Sequence, residues 1–151
     1  MERNLYLDKL IRRKNNGMIK IITGIRRCGK TYLLFELFYS YLLDSGVDKE
    51  HIIKIALDDR INKKYRDPDV LCEYVHDAIK DDQMYYILLD EVQMVAEFED
   101  VLNSFLHINN ADVYVTGSNA KFLSKDIITE FAGRGDEIHM FPLSFSEFMT
   151  A

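Results

Sequence analysis

Eight consecutive residues, Gly24-Ile25-Arg26-Arg27-Cys28-Gly29-Lys30-Thr31, fit the pattern G-x-x-x-x-G-K-[ST]. Such spacing suits the binding of a phosphorylated ligand. Glycines at both ends let the backbone turn tightly and aim its N–H groups inward, where they add to the positive end of a following helix. Lys30 supplies an ammonium for the outer phosphate oxygens, and Thr31 a hydroxyl for a magnesium ion. A second group lies further along, in Tyr85-Tyr86-Ile87-Leu88-Leu89-Asp90-Glu91, an apolar run that ends in two acids. Asp90 has the hard oxygen ligands that Mg²⁺ prefers, and Glu91 can orient or deprotonate an attacking water. An acidic pair opening a helix would read the same way in isolation.

Other candidates are less specific. In Thr116-Gly117-Ser118-Asn119, Ser118 or Asn119 can reach a terminal phosphate or the attacking water, or Asn119 can simply cap a helix. Arg134, between Gly133 and Gly135, has a nucleotide-directed role open to it or a surface pairing with Asp136 or Glu137. Cys28 sits where amide donors favour thiolate, or fills a small buried space. The two cysteines, Cys28 and Cys72, show no paired spacing, and His51, His76, His107 and His139 do not cluster. No metal other than magnesium is expected.

These residues need strands and helices to position them. Met18 to Thr23 is a β-branched run bounded by glycines, a strand signal. Thr31 to Leu43 is too long for a strand and apolar on most sides, as for a helix buried against a sheet. Further strands are expected at His51–Leu57, Met84–Leu89, Asp112–Thr116 and Glu137–Phe141. Helices are expected from Asp67 with Pro68 to about Lys80, at Ala96–His107, and as a short stretch from Asn119 to Phe131. Leu5, Leu7, Leu10 and Ile11 mark an amphipathic leader helix within residues 1–16. This alternation predicts an α/β protein with a mostly parallel sheet covered by helices on both faces, and both motifs then fall at the carboxyl ends of strands, where such sheets bind ligands.

With 151 residues, 48% hydrophobic and 29% charged, the chain is neither disordered nor of low complexity. No apolar run approaches the roughly 18 residues of a membrane span, and the charged start resembles no secretory signal, so a cytoplasmic location is expected. The net charge of −6 is unevenly distributed. Residues 1–31 carry nine Lys/Arg against two acids, and the remaining 120 carry ten against 23. A local anion site on an acidic body accounts for this; so does a solvated basic helix.

Together, the phosphate loop, Leu-Leu-Asp-Glu-Val-Gln at 88–93, Thr-Gly-Ser-Asn at 116–119, Gly-Arg at 133–134 and the closing Phe-Pro-Leu-Ser-Phe-Ser-Glu-Phe at 141–148 carry a likeness. From about Leu5 to Phe148 the chain resembles the AAA+-type ATPase domain of a prokaryotic family whose members add a C-terminal domain of unknown function. The resemblance implies a P-loop three-layer αβα sandwich with sheet order 5-1-4-3-2. It also implies ATP and Mg²⁺ as ligands, Thr31 and Asp90 on the metal, and Glu91 as catalytic base. Ser118 or Asn119 becomes the sensor of hydrolysis, and Arg134 an arginine finger acting in a homo-oligomer. The nucleotide-contacting set is Gly24, Ile25, Arg26, Arg27, Cys28, Gly29, Lys30, Thr31 and Tyr32.

Three functions follow as expectations. The first is Mg²⁺-dependent hydrolysis of ATP to ADP and phosphate, coupled to a conformational task. The second is a slow-turnover ATP-dependent switch or interaction module, and the third a nucleic-acid module using the basic leader. Guanine specificity is disfavoured, because Asn62-Lys63-Lys64-Tyr65 lacks the Asp of an Asn-Lys-x-Asp motif. The core is expected at 17–143. Ser144 and Glu147 form a capping box, so residues 144–151 are expected to begin a helix leading into a further C-terminal region outside this sequence.

Overall fold

The computed structural model describes residues 2–25, 29–118 and 135–141. Five strands, β1 (Ile19–Thr23), β2 (Ile52–Ala56), β3 (Tyr85–Asp90), β4 (Ala111–Gly117) and β5 (Gly135–His139), form one sheet in the order β2-β3-β4-β1-β5. Every neighbouring pair is parallel. This is the expected order read from the other edge. Strand limits shift from the expected ones by one or two residues, and the helical stretch expected at 119–131 and the one at 144–151 lie outside the described residues.

Alternation along the strands divides the core in two. Ile19, Ile21, Ile53, Ile55, Ile87, Leu89, Val113 and Val115 point to one face, where α4 (Pro68–Ala78) and α5 (Phe98–Phe105) cover them. Ile22, Ile52, Tyr86, Leu88 and Tyr114 point to the other, covered by α1 (Glu2–Arg12) and by the helical run that starts at Lys30. Burying aliphatic side chains on both faces, at about 1.5–3 kcal/mol each, is what holds the sheet as a platform. Asp67 caps α4 as the sequence suggests, its Oδ1 accepting from the N–H of Asp69 at 2.9 Å, with Pro68 in the first turn.

Two local expectations are corrected. In the leader helix, Leu5 is 60% exposed, and the buried stripe is Tyr6 and Leu10, one turn apart. Tyr6 wins the inward position because its hydroxyl also accepts the N–H of Phe141 at 3.2 Å. The run expected as one regular helix is α2 (Lys30–Tyr32), a π-helical segment (Leu33–Phe38) and α3 (Tyr39–Asp44) in succession. The π geometry brings Leu33, Leu34 and Phe38 all into the core directly behind the phosphate loop.

At the amino ends of the strands lies a polar cluster with a buried ion pair at its centre. Lys20 on β1 is fully buried and paired with Asp112 on β4, and its ammonium also donates to Asn16 Oδ1 at 3.1 Å. Asp112 accepts further from the Tyr114 hydroxyl at 2.5 Å and the Asn15 N–H at 2.8 Å. Burial pulls the Lys20 ammonium below its ordinary value, while Asp112 opposes that pull. Tyr114 is pushed above the usual phenol value, by burial first and then by Asp112. This cluster pins the segment that joins the leader helix to β1, the strand feeding the phosphate loop.

Candidate nucleotide site

β1 ends at Thr23, whose hydroxyl donates to Glu137 Oε2 at 2.7 Å and lies 3.0 Å from His139 Nδ1, so the launch point of the loop is tied to β5. Gly24 follows with φ 148°, and Gly29 at the far end has φ 95°, in the left-handed region that favours glycine. Lys30 opens α2 and is 5% exposed, with its ammonium donating to the carbonyls of Gly24 at 2.9 Å and Ile25 at 2.8 Å. Its side chain thus closes the loop from within. Arg26, Arg27 and Cys28 lie outside the described residues.

The second motif meets the first across the sheet. Asp90 ends β3, and the Thr31 hydroxyl lies 2.9 and 3.0 Å from its two carboxylate oxygens. Burial raises the Asp90 carboxyl above its ordinary value; the hydroxyls of Thr116 and Thr31 oppose this, and the charges of Glu91 and Asp58 reinforce it. Glu91 follows in a left-handed conformation, φ 56°, ψ 53°. That turn is costly for a side chain with a Cβ, and it sends Glu91 away from the strand line to the wall of a cavity of about 710 Å³. Gly29, Lys30, Thr31, Tyr32, Asp58, Glu91 and Ser118 line this cavity. Ser118, just past β4, donates to Glu91 with 2.9 Å to each carboxylate oxygen.

Of the expected site residues, Gly29, Lys30, Thr31, Tyr32, Asp90, Glu91 and Ser118 come together. Ile25 is on the loop and 53% exposed. Asn119 and Arg134 lie outside the described residues. Two residues went unmarked in the sequence. Asp58 joins the cavity from just past β2, and Thr116 bonds the Asp90 carboxylate and the Glu91 backbone from beneath. The Thr116 hydroxyl donates to Asp90 Oδ1 at 2.6 Å and accepts the Glu91 N–H at 2.9 Å. Strand order was the available signal: the register that pairs Leu89 with Val115 sets Asp90 beside Thr116 one step on.

Thr31 and Asp90 offer only oxygen atoms, a hydroxyl and a carboxylate within hydrogen-bond distance, and this donor set fits a hard divalent cation such as Mg²⁺. Among the described residues no His/Cys/Asp/Glu group forms a further metal cluster, and no helix is long and apolar enough to cross a membrane. Several cations of the basic leader are engaged inside the molecule. Arg13 pairs with Asp136 at 3.2 Å, and Lys14 lies over the rings of Tyr41 and Tyr86.

A parallel sheet in this order, with a glycine-bounded loop, a buried lysine and a strand-end acid pair at its carboxyl edge, defines an AAA+-type P-loop ATPase core. The chain belongs to the AAA domain family, whose sequence model matches residues 16–149. It is 34% identical over 152 residues to an uncharacterized protein of Haemophilus influenzae, covering 100% of this chain and 38% of that protein. An uncharacterized protein of Methanocaldococcus jannaschii is 32% identical over 135 residues, covering 87% of this chain and 28% of its own length. The chain therefore spans well under half the length of these relatives.

Solved structures share the fold. A chain of Drosophila ORC bound to DNA superimposes with a TM-score of 0.61 at 11% identity, covering 98% of this chain and 95% of that one. A DNA polymerase III gamma-subunit-related protein of Thermotoga maritima gives 0.64 at 10% identity, covering 95% and 47%. PCH-2 of C. elegans gives 0.58 at 17% identity, covering 93% and 40%.

Proposed function

We propose that this chain is an ATP-binding core that hydrolyses ATP to ADP and phosphate with Mg²⁺, coupling the reaction to a conformational task of the longer protein. The observation that carries this reading is the meeting of Lys30 and Thr31, at the start of α2, with Asp90 and Glu91, at the end of β3, beside one cavity. The loop amides and Lys30 hold the phosphates, Thr31 and Asp90 would hold the cation, and Glu91 orients the attacking water and takes its proton. Mg²⁺, when bound, neutralises charge that builds up on the phosphate oxygens. Tyr32, 56% exposed at the rim, offers a ring for the base. Isothermal titration with Mg-ATP, Mg-ADP and Mg-GTP, followed by turnover on the same sample, tests the reading. ATP and ADP should bind and GTP should not, and absence of ATP binding overturns it.

The Ser118–Glu91 contact favours slow turnover by the core alone, because the carboxylate that should receive a water proton already accepts a hydroxyl. On this reading Ser118→Ala raises basal turnover; a fall would instead assign Ser118 to orienting water or phosphate. The AAA+ fold also makes an arginine supplied across a homo-oligomer part of the proposal, with Arg134 as that group. Such a residue is worth about 10³–10⁵ in rate, which a monomeric core would lack.

A further inference from the structure

Thr116 is fully buried near the end of β4, on the sheet face that carries Asp90. A hydroxyl buried in a strand needs partners for its proton and its lone pairs, and Thr116 finds them on two successive residues of the neighbouring strand. It donates to Asp90 Oδ1 at 2.6 Å and accepts the Glu91 N–H at 2.9 Å. One hydroxyl therefore holds the carboxylate of the first acid and the backbone of the second. The second of these bonds falls at the left-handed residue, the point where the chain leaves the strand and swings Glu91 into the cavity. Thr31 is the other hydroxyl on Asp90, but it faces the cavity, so Thr116 is the Asp90 contact that lies behind the site.

We propose that Thr116 is a positioning residue: it sets the orientation of the Asp90 carboxylate for a divalent cation and fixes the turn that aims Glu91 at the substrate. The proposal rests on the ATP-hydrolysing reading above. Its chemistry is that of a partner behind a metal ligand, whose loss costs about 10- to 100-fold in metal affinity or activity. Valine keeps the shape of threonine but leaves the Glu91 N–H buried without an acceptor and Asp90 Oδ1 without its inner donor. Serine keeps the hydroxyl.

The test compares wild type, Thr116→Val and Thr116→Ser. Binding of a non-hydrolysable ATP analogue is followed by calorimetry as Mg²⁺ is titrated, and turnover is measured at saturating Mg²⁺. In Thr116→Val the Mg²⁺ concentration for half-maximal binding should rise about 10-fold or more and turnover should fall by a similar factor, while metal-free nucleotide affinity stays that of wild type. Thr116→Ser should recover both. A valine variant that melts lower yet keeps the wild-type Mg²⁺ dependence and turnover overturns the proposal and leaves the ATPase reading intact. Failure of wild type to bind the nucleotide at all overturns the ATPase reading instead. If circular dichroism shows Thr116→Val unfolded, Thr116→Cys, close in size and a weak hydrogen-bonding partner, takes its place with the same two outcomes.

Discussion

Thr31 donates its hydroxyl to the carboxylate of Asp90 across 59 residues of sequence, joining the first turn after the phosphate loop to the end of β3. Neither residue can be placed against the other by sequence spacing. The contact exists because β1 and β3 flank β4 in one parallel sheet, so their carboxyl ends open on the same edge.

Lys30→Ala should abolish measurable Mg-ATP binding. A charge-assisted hydrogen bond contributes about 1.5–3 kcal/mol, and the alanine also frees the Gly24 and Ile25 carbonyls that the ammonium now gathers. Affinity should fall about 10- to 100-fold from the first effect alone. Calorimetry that finds wild-type affinity in this variant would remove Lys30 from the site.

Glu91→Gln should separate binding from chemistry. Glutamine can still accept from Ser118 but takes no proton from water, so single-turnover hydrolysis should fall by about 10²–10⁴ with nucleotide affinity retained. Equal loss of both would mean that Glu91 serves the fold of the loop rather than the reaction.

Asp90→Asn should trade function for stability. Because burial raises the Asp90 carboxyl above 3.8, the folded chain holds that proton more tightly than the unfolded one does. The contribution to stability is fully present below the unfolded value and is lost as pH rises through the raised folded value, above which a buried carboxylate remains. Asparagine removes that charge while still able to meet Thr116 and Thr31. Its Tm should exceed that of wild type at pH 7, by about 2–4 °C for each kcal/mol recovered, and the gain should vanish toward pH 4. Mg²⁺-dependent nucleotide binding runs the other way in wild type, strengthening as pH rises, since the cation needs the deprotonated acid. An unchanged melting temperature at pH 7 would contradict the first half of this prediction.

Lys20→Met should destabilise the chain by about 3–5 kcal/mol, the usual cost of leaving one partner of a buried ion pair alone. Asp112 would keep the Tyr114 hydroxyl and the Asn15 N–H but lose its cation. Urea denaturation measures this directly, and a change under 1 kcal/mol, the range of an exposed pair, would show the pair to be solvated.

What was legible in the sequence follows the range of the interactions. The glycines, Lys30, Thr31 and the Asp90-Glu91 pair lie within short segments whose spacing expresses local chemistry, and the alternation of apolar runs exposed the parallel sheet. Strand order itself came from family likeness, not from periodicity. Thr116 was not legible because its meaning lies in its neighbour: within Val113-Tyr114-Val115-Thr116 it is an ordinary β-branched strand residue, and only pairing with β3 gives it two acids to serve. Tyr6 was missed for a similar reason, its advantage over Leu5 being a hydroxyl contact with Phe141 far along the chain. Lys20 is one of the nine basic residues of 1–31, and nothing in its own segment shows that its partner Asp112 takes it into the core.

The π-helical segment behind the phosphate loop has a consequence for how the chain can vary in length. Each turn there holds more residues than an α-helical turn, and exposed Glu36 lies in the middle of it while Leu33, Leu34 and Phe38 are buried. Removing one residue at Glu36 would let the segment relax to ordinary α-helix, with Lys30 and Thr31 left at one end and Leu42 at the other. The segment is thus a seam where one residue can be lost without moving the phosphate-binding end of the helix.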